Sequence, residues 1–271
     1  MKNLLPLFFI VFSLSGVGQI KTNPYWQELK TDNQKVKKDV INDGYEAIAA
    51  MHNAYAGGKW YKNFTFSQET KFYKEGKYEK TEIWHEASCS PGKLLIKFNS
   101  KDSKNGVVFE NYMVHAFKEN EKPVHKPMVH DLLLAAFDVY FLKQEETYRM
   151  FDSLGYNLKL VREDVYAERK VLVIGAPEND SLSNQIWIDK ERFYLHRLIY
   201  KQGKAIRDVV LTDYVQMPAS SKKEKYWVAT KVVFKVNGQL NMEEKYYDIK
   251  FPKELSNDLF DPEKFNETKL E

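Results

Sequence analysis

Three histidines, His115, His125 and His130, fall close together in the chain, and two pairs of carboxylates, Glu145-Glu146 and Glu243-Glu244, stand side by side. These are the residue types that hold metals or move protons. A metal site built on one element wants shorter and regular spacing, such as two histidines on one helical face. The three histidines lack it, so surface or helix-capping roles are expected for them. Neighbouring carboxylates diverge on a helix or a strand, so neither pair makes a general acid and base, and both read as solvated charge. His52 falls on or beside an apolar stripe and reads as a satisfied core histidine. The single cysteine, Cys89, cannot form an internal disulfide and reads as a small apolar filler. The chain has no G-x-S-x-G, no H-E-x-x-H and no phosphate-binding glycine loop. No enzyme, cofactor or metal is expected from these residues.

What the chain supplies instead is apolar surface. Aromatic residues make up 14% of it, including 17 Phe and 17 Tyr. In "NFTFSQETKFY" the residues Phe64, Phe66 and Phe72 share one face of a strand. "PGKLLIKF" sets Leu94, Ile96 and Phe98 against Lys93, Leu95 and Lys97. Further runs, "YEKTEIWHEAS" with Trp84 and "GVVFENYMVHAF", continue a meander joined by short Gly, Asn or Asp turns. "QIWIDKERFYLHRLIY" is a hairpin with two apolar faces. Strict alternation groups Ile186 with Ile188 against Trp187, and Phe193, Leu195 and Ile199 against Tyr194, Leu198 and Tyr200. A one-sided antiparallel sheet keeps one face polar, so something must cover the second face here. The last hairpin places Val228, Val232, Phe234 and Val236 on one face and turns at Asn237-Gly238, a type I′ signal.

Two segments are helical in pattern. Ile41, Tyr45, Ile48, His52 and Tyr55 recur at helical spacing, with Gly57-Gly58 as the stop. Residues 126–155 read as a second helix, with Pro127 in its first turn and Gly155 at its end. From Leu132 to Leu142 only Asp138 is charged, so Leu133, Phe137 and Phe141 face a cover on nearly every side. The plan is a helix, four strands, an apolar helix and roughly six strands. The fold class expected is mainly antiparallel β with α: an unclosed, half β-barrel of about ten to eleven strands with helices over its concave face.

The first 18 residues read as a secretory signal: Lys2, an apolar run from Leu4 to Leu14, and small residues Gly16 and Gly18 before Gln19. An uncleaved anchor is the other reading, against which the shortness of the apolar run speaks. Residues 19–38 are polar and read as a loose segment, and 39–271 as a single domain of the exported, periplasmic protein. Cutting off residues 1–18 removes Lys2 and takes the net charge from +3 to +2. Near-neutrality without a clustered basic face excludes a dedicated nucleic-acid binder.

The helix ending in "AGGKW", the strand "NFTFSQET", "TEIWHEASCSPGKLLIKF" and "IWIDKERFYLHRLIY" together resemble the periplasmic lipoprotein carriers of the LolA/LolB type. Trp187, Asp189 and Arg197 match a W-x-D strand followed by an arginine-bearing strand in that family, and "LFDPEKF" resembles Bacteroidetes versions. The resemblance implies a lidded, unclosed barrel holding an acyl chain. The chain is longer than the classical carriers and offers no match to their lid-locking arginine, so what carries over is a lipid-type ligand. The expected wall of the cavity is Phe64, Phe66, Phe72, Trp84, Leu94, Ile96, Phe98, Leu133, Phe137, Phe141, Ile186, Trp187, Ile188, Leu195, Val232 and Phe234. Partners would be lipid or lipoprotein acyl chains, with envelope proteins as a further class and at most transient membrane contact. If side chains instead fill the space, the same fold serves as a protein-interaction module.

Overall fold

The computed structural model describes residues 40–55, 60–218 and 225–271. The expected signal (1–18), the loose segment (19–38) and the Gly57-Gly58 stop lie outside the described residues.

Thirteen antiparallel strands form one open sheet: β1 (Asn63–Lys74), β2 (Lys77–Cys89), β3 (Lys93–Phe98), β4 (Gly106–Glu110), β5 (Met113–Phe117), β6 (Val124–Pro127), β7 (Val161–Tyr166), β8 (Arg169–Ile174), β9 (Gln185–Asp189), β10 (Leu195–Gln202), β11 (Ala205–Pro218), β12 (Lys225–Val236) and β13 (Gln239–Lys250). Their order is β6-β5-β4-β3-β2-β1-β13-β12-β11-β10-β9-β8-β7. The chain starts in the middle of the sheet, walks out to one edge, crosses to the other edge and walks back to pair β13 with β1. That route explains the greasy segment. The β6–β7 connection must travel from edge to edge, so it lies across one face, here called the inner face.

The strand count exceeds the expected ten to eleven for three local reasons. "GVVFENYMVHAF" is not one strand but the β4–β5 hairpin, turning at Asn111 and Tyr112, both with positive φ. β6 is short and mostly exposed, and β7 reads VREDVY, too charged to stand out as a strand. Both are edge strands, where charge and Pro discourage pairing with another chain. Pro127 therefore ends β6, paired with Met113, and does not start a helix. The expected single helix is broken into α2 (Asp131–Ala136), a 3-10 turn (Asp138–Tyr140) and α3 (Gln144–Ser153). Phe137 (φ −131°, ψ −60°) and Lys143 (ψ 141°) leave helical geometry at the joints. Gly155 follows α3 with φ +84°, the left-handed stop its position predicted.

α1 (Gly44–Tyr55) packs over this crossing segment. Tyr148 donates to the Tyr45 carbonyl at 3.0 Å, and the rings of Tyr55 and Tyr140 meet edge-on at 4.7 Å. His52 contacts the Val139 carbonyl through Nδ1 at 3.3 Å, the satisfied histidine expected. Gly44 lets α1 reach the sheet: a Cβ there would sit 2.5 Å from Ile174 Cγ2 and 2.8 Å from the Leu158 carbonyl oxygen.

The outer face has covers of its own. Beyond β3 and β4, the C-terminal turns (Asn257–Phe260 and Pro262–Lys264) bring Phe260, Phe265 and Leu270 onto Ala87, Leu95, Val108 and Phe117. Cys89 packs at the edge of this cluster. Lys97, expected on a polar face, is fully buried there, donates to the Phe265 and Ser103 carbonyls and lies 3.5 Å from the Phe265 ring centroid. Burial lowers its pKa to about 8.

Candidate functional site

The hairpin β9–β10 settles its own sidedness with a bulge. Leu195 pairs with Ile188, but Arg197 pairs with Trp187 and Leu198 with Ile186, so His196 is an extra residue. Leu195 and Leu198 thus share the inner face with Ile186 and Ile188, and strict alternation fails. Trp187 projects from the outer face with Val171, Val173 and Tyr166, and the Arg197 guanidinium lies 5.1 Å from its ring. Trp187 and Arg197 of this hairpin's second face therefore lie away from the cleft.

Asp189 locks the turn. It is fully buried, takes Arg169 in a fork at 2.7 and 3.1 Å, and accepts the backbone N–H groups of Glu191 (2.9 Å) and Arg192 (2.7 Å). Burial pushes its carboxyl up, but the hydrogen bonds from His196, Arg169 and the backbone outweigh burial and hold it well below the ordinary range. Arg197 of the W-x-D…R pattern is spoken for by Asp208, at 2.7 and 2.8 Å.

Between the crossing segment and the sheet lies a cleft. Its walls are Phe137, Tyr140 and Leu132 from above, Phe64, Phe66 and Tyr246 on one side, and Leu195, Leu211, Tyr214 and Val232 on the other, with Trp60 at one end. Many of these rings are tyrosines, yet the wall is apolar because their hydroxyls are tied off. Tyr214 donates to the Leu195 carbonyl, Tyr140 to the Phe193 carbonyl at 3.4 Å, and Tyr246 to Glu244 at 2.7 Å. The ring faces are what a ligand would meet. The cleft encloses about 600 Å³ with its open mouth counted, and rings pack closely across it. Trp60 packs on Tyr140 at 4.8 Å and on Phe64 at 5.1 Å.

Of the expected wall, Phe64, Phe66, Phe137, Leu195 and Val232 line this cleft. Ile186 and Ile188 lie in the same core below α1, and Phe141 packs against it. Phe72, Trp84, Leu94, Ile96 and Leu133 form a second inner cluster, with Phe98, Phe137 and Phe234 against it. Trp187 stands apart on the outer face. The missed aromatic wall residues are Trp60, Tyr140, Tyr194, Tyr214, Trp227 and Tyr246. Leu211 and Tyr214 both reach the cleft although three residues apart, because β11 breaks its alternation at Asp213 (φ +52°).

The chemically reactive residue types fall elsewhere. His115 and His125 face each other across β5–β6, Nδ1 to Nδ1 at 2.7 Å, and His130 caps α2 by accepting the Leu133 N–H at 3.3 Å. Burial takes the His130 pKa down to about 4. No group of three or more metal-ligating side chains occurs among the described residues. Glu145 pairs with Arg149, and Glu146 accepts from Tyr112. Glu243 pairs with Lys231 and accepts from Tyr73, as expected of a surface carboxylate. Glu244 corrects the reading of its pair: it is buried on the inner face, and burial pushes its pKa up to about 7.

No family model and no curated protein matches the chain. Solved structures do. A DUF1329 family protein from Desulfovibrio piger superposes with a TM-score of 0.53 at 12% identity, covering 80% of this chain and 95% of that one. A LolA superfamily protein from Nitrosomonas europaea superposes with a TM-score of 0.53 at 9% identity, covering 82% of this chain and 98% of that one. The fold is LolA-like, an unclosed antiparallel sheet with helices on one face.

Proposed function

We propose that the chain is an exported, periplasmic binding protein or carrier for a lipid or lipidated protein, built as one domain over residues 39–271. The observation that carries this is the cleft between the crossing segment and the sheet, whose walls present ring faces and aliphatic side chains with every named hydroxyl satisfied internally. No catalytic step is part of the reading. Burying a dozen methylenes would supply roughly 10 kcal/mol before ordering costs. Rings pack across the cleft, Trp60 on Tyr140 at 4.8 Å and on Phe64 at 5.1 Å, so loading an acyl chain requires the crossing segment to lift or the rings to turn. The breaks at Phe137 and Lys143 are the hinges available for this. The LolA-like fold of the Nitrosomonas europaea protein supports the same class.

Tight ring packing across the cleft favours a second reading, a filled core whose surface binds an envelope protein. Native mass spectrometry of protein purified from its own source without detergent, followed by lipid extraction, separates the two. A stoichiometric lipid adduct that is lost in Phe137→Asp, with the β-sheet signal in circular dichroism intact, is the expected result. A clean apo mass that takes up no added lipid would overturn the carrier reading.

A further inference from the structure

At the edge of the sheet two histidines converge. His115 on β5 and His125 on β6 stand directly opposite each other in the antiparallel register. Their ring centroids are 4.9 Å apart, and their Nδ1 atoms meet at 2.7 Å. So short a contact between two ring nitrogens holds one proton, with one ring donating and the other accepting. His125 is exposed and His115 half-buried, so solvent reaches the pair. β6 is the last strand on this side, and no further strand covers it. The register also puts a carboxylate on the same face. Val108 of β4 stands opposite His115, and Glu110 lies two residues beyond it. The Glu110 charge favours a cation at His115. Lys126, beside His125 in the chain, pairs with Val114 and alternates to the other face.

Two converging imidazole nitrogens on neighbouring strands become a ligand pair when a metal ion takes the place of the shared proton. The spacing discriminates between metals. With bonds of about 2.0–2.1 Å, two nitrogens on a tetrahedral ion such as zinc stand about 3.4 Å apart. In right-angled positions on a tetragonal ion the same bonds bring them to about 2.9 Å. The observed 2.7 Å is close to the second value and well short of the first. Tetragonal nitrogen sites suit copper(II) and nickel(II), and copper(II) binds the more tightly. The exchange balances within the pair. The proton leaves Nδ1 of the donating ring, Nε2 of that ring takes one up through solvent, and both rings stay neutral. Two protein ligands leave the other positions on the ion to water.

We propose that His115 and His125 form a two-histidine site for a divalent transition metal of tetragonal preference, copper(II) foremost. The ion would clip β6 to β5 where the chain enters the crossing segment: Met128, next after β6, donates its N–H to the Tyr112 carbonyl at 2.7 Å. The site stands independently of the carrier reading. The test titrates copper(II), nickel(II) and zinc(II) chlorides separately into the chelator-stripped full chain, and into His115→Ala, His125→Ala and His85→Ala. His85, whose Nδ1 meets the Ser67 hydroxyl at 2.8 Å, serves as a histidine outside the site. The expected result is one copper per chain, held more tightly than nickel or zinc, with the electron paramagnetic resonance signature of two imidazole nitrogens. Copper affinity should fall roughly tenfold or more in His115→Ala and in His125→Ala and stay unchanged in His85→Ala. Circular dichroism without metal checks the fold, and either variant serves if the other fails to fold. No copper bound, a copper affinity that survives both substitutions, or zinc held as tightly as copper would overturn the site.

Discussion

Among single residues, Asp189 does the most local work. It joins the β9–β10 turn to Arg169 on β8 with four hydrogen bonds from fixed donors. Asp189→Asn leaves the Arg169 guanidinium facing a neutral amide and should cost about 3 kcal/mol, since breaking one side of a buried pair strands the other. The sign of the pH effect follows from the direction of the shift. The folded pKa lies below the unfolded value, so the stabilisation is complete above about pH 4 and is lost as pH falls below it. Urea midpoints of wild type and variant should differ most at neutral pH, and the gap should start to narrow between pH 4 and pH 3. A gap that stays constant across that range would contradict the assignment.

The elements argue through what lies on their two faces. β3 carries Leu94 and Ile96 inward and Leu95 and Lys97 outward, and all four are buried. The outward pair is covered by Phe265, which is fully buried and stacks on Phe117 at 4.0 Å and 5°. Phe265→Ala should therefore cost about 4 kcal/mol in urea unfolding, as large as a central core truncation, although the residue lies in the last stretch of the chain. A cost below about 1 kcal/mol would mean that the tail is a passive appendage. The broken crossing segment belongs to this scale too. Its continuous apolar pattern read as one helix, but Asp138 turns to accept the Gly92 N–H at 3.0 Å and Phe137 turns into both inner clusters. Those tertiary contacts override the local preference for an unbroken helix. Burial meanwhile pushes the Asp138 carboxyl up to about 6.

For the whole molecule, the open sheet and the edge-to-edge crossing make a lid that is one covalent piece with its floor. Ligand that binds only the folded form adds stability by mass action. At a hundred times its dissociation constant the gain is about 2.7 kcal/mol, on the order of 5–10 °C in melting temperature for a domain of this size. A differential scanning calorimetry series with dodecanol should show this rise in the wild type and not in Phe137→Asp. No rise at saturating probe would place the apolar cleft among ordinary cores.

The sequence by itself determined the classes of surface. Alternation in "NFTFSQETKFY" and "PGKLLIKF" placed Phe64, Phe66, Leu94 and Ile96 on the inner face, and Asn237-Gly238, with φ of 50° and 79°, made the last turn. Those features are local, set by pleat and turn sterics within a few residues. Tertiary structure decided what local rules cannot reach. The bulge at His196 and the break at Asp213 re-aimed Leu198 and Tyr214, and a period-two reading has no way to anticipate an extra residue. The fate of Glu244 and Lys97 was decided by where β13 returns and by what the tail lays over the sheet. A charged side chain looks the same in sequence whether it meets water or a buried neighbour, and only long-range pairing determines which.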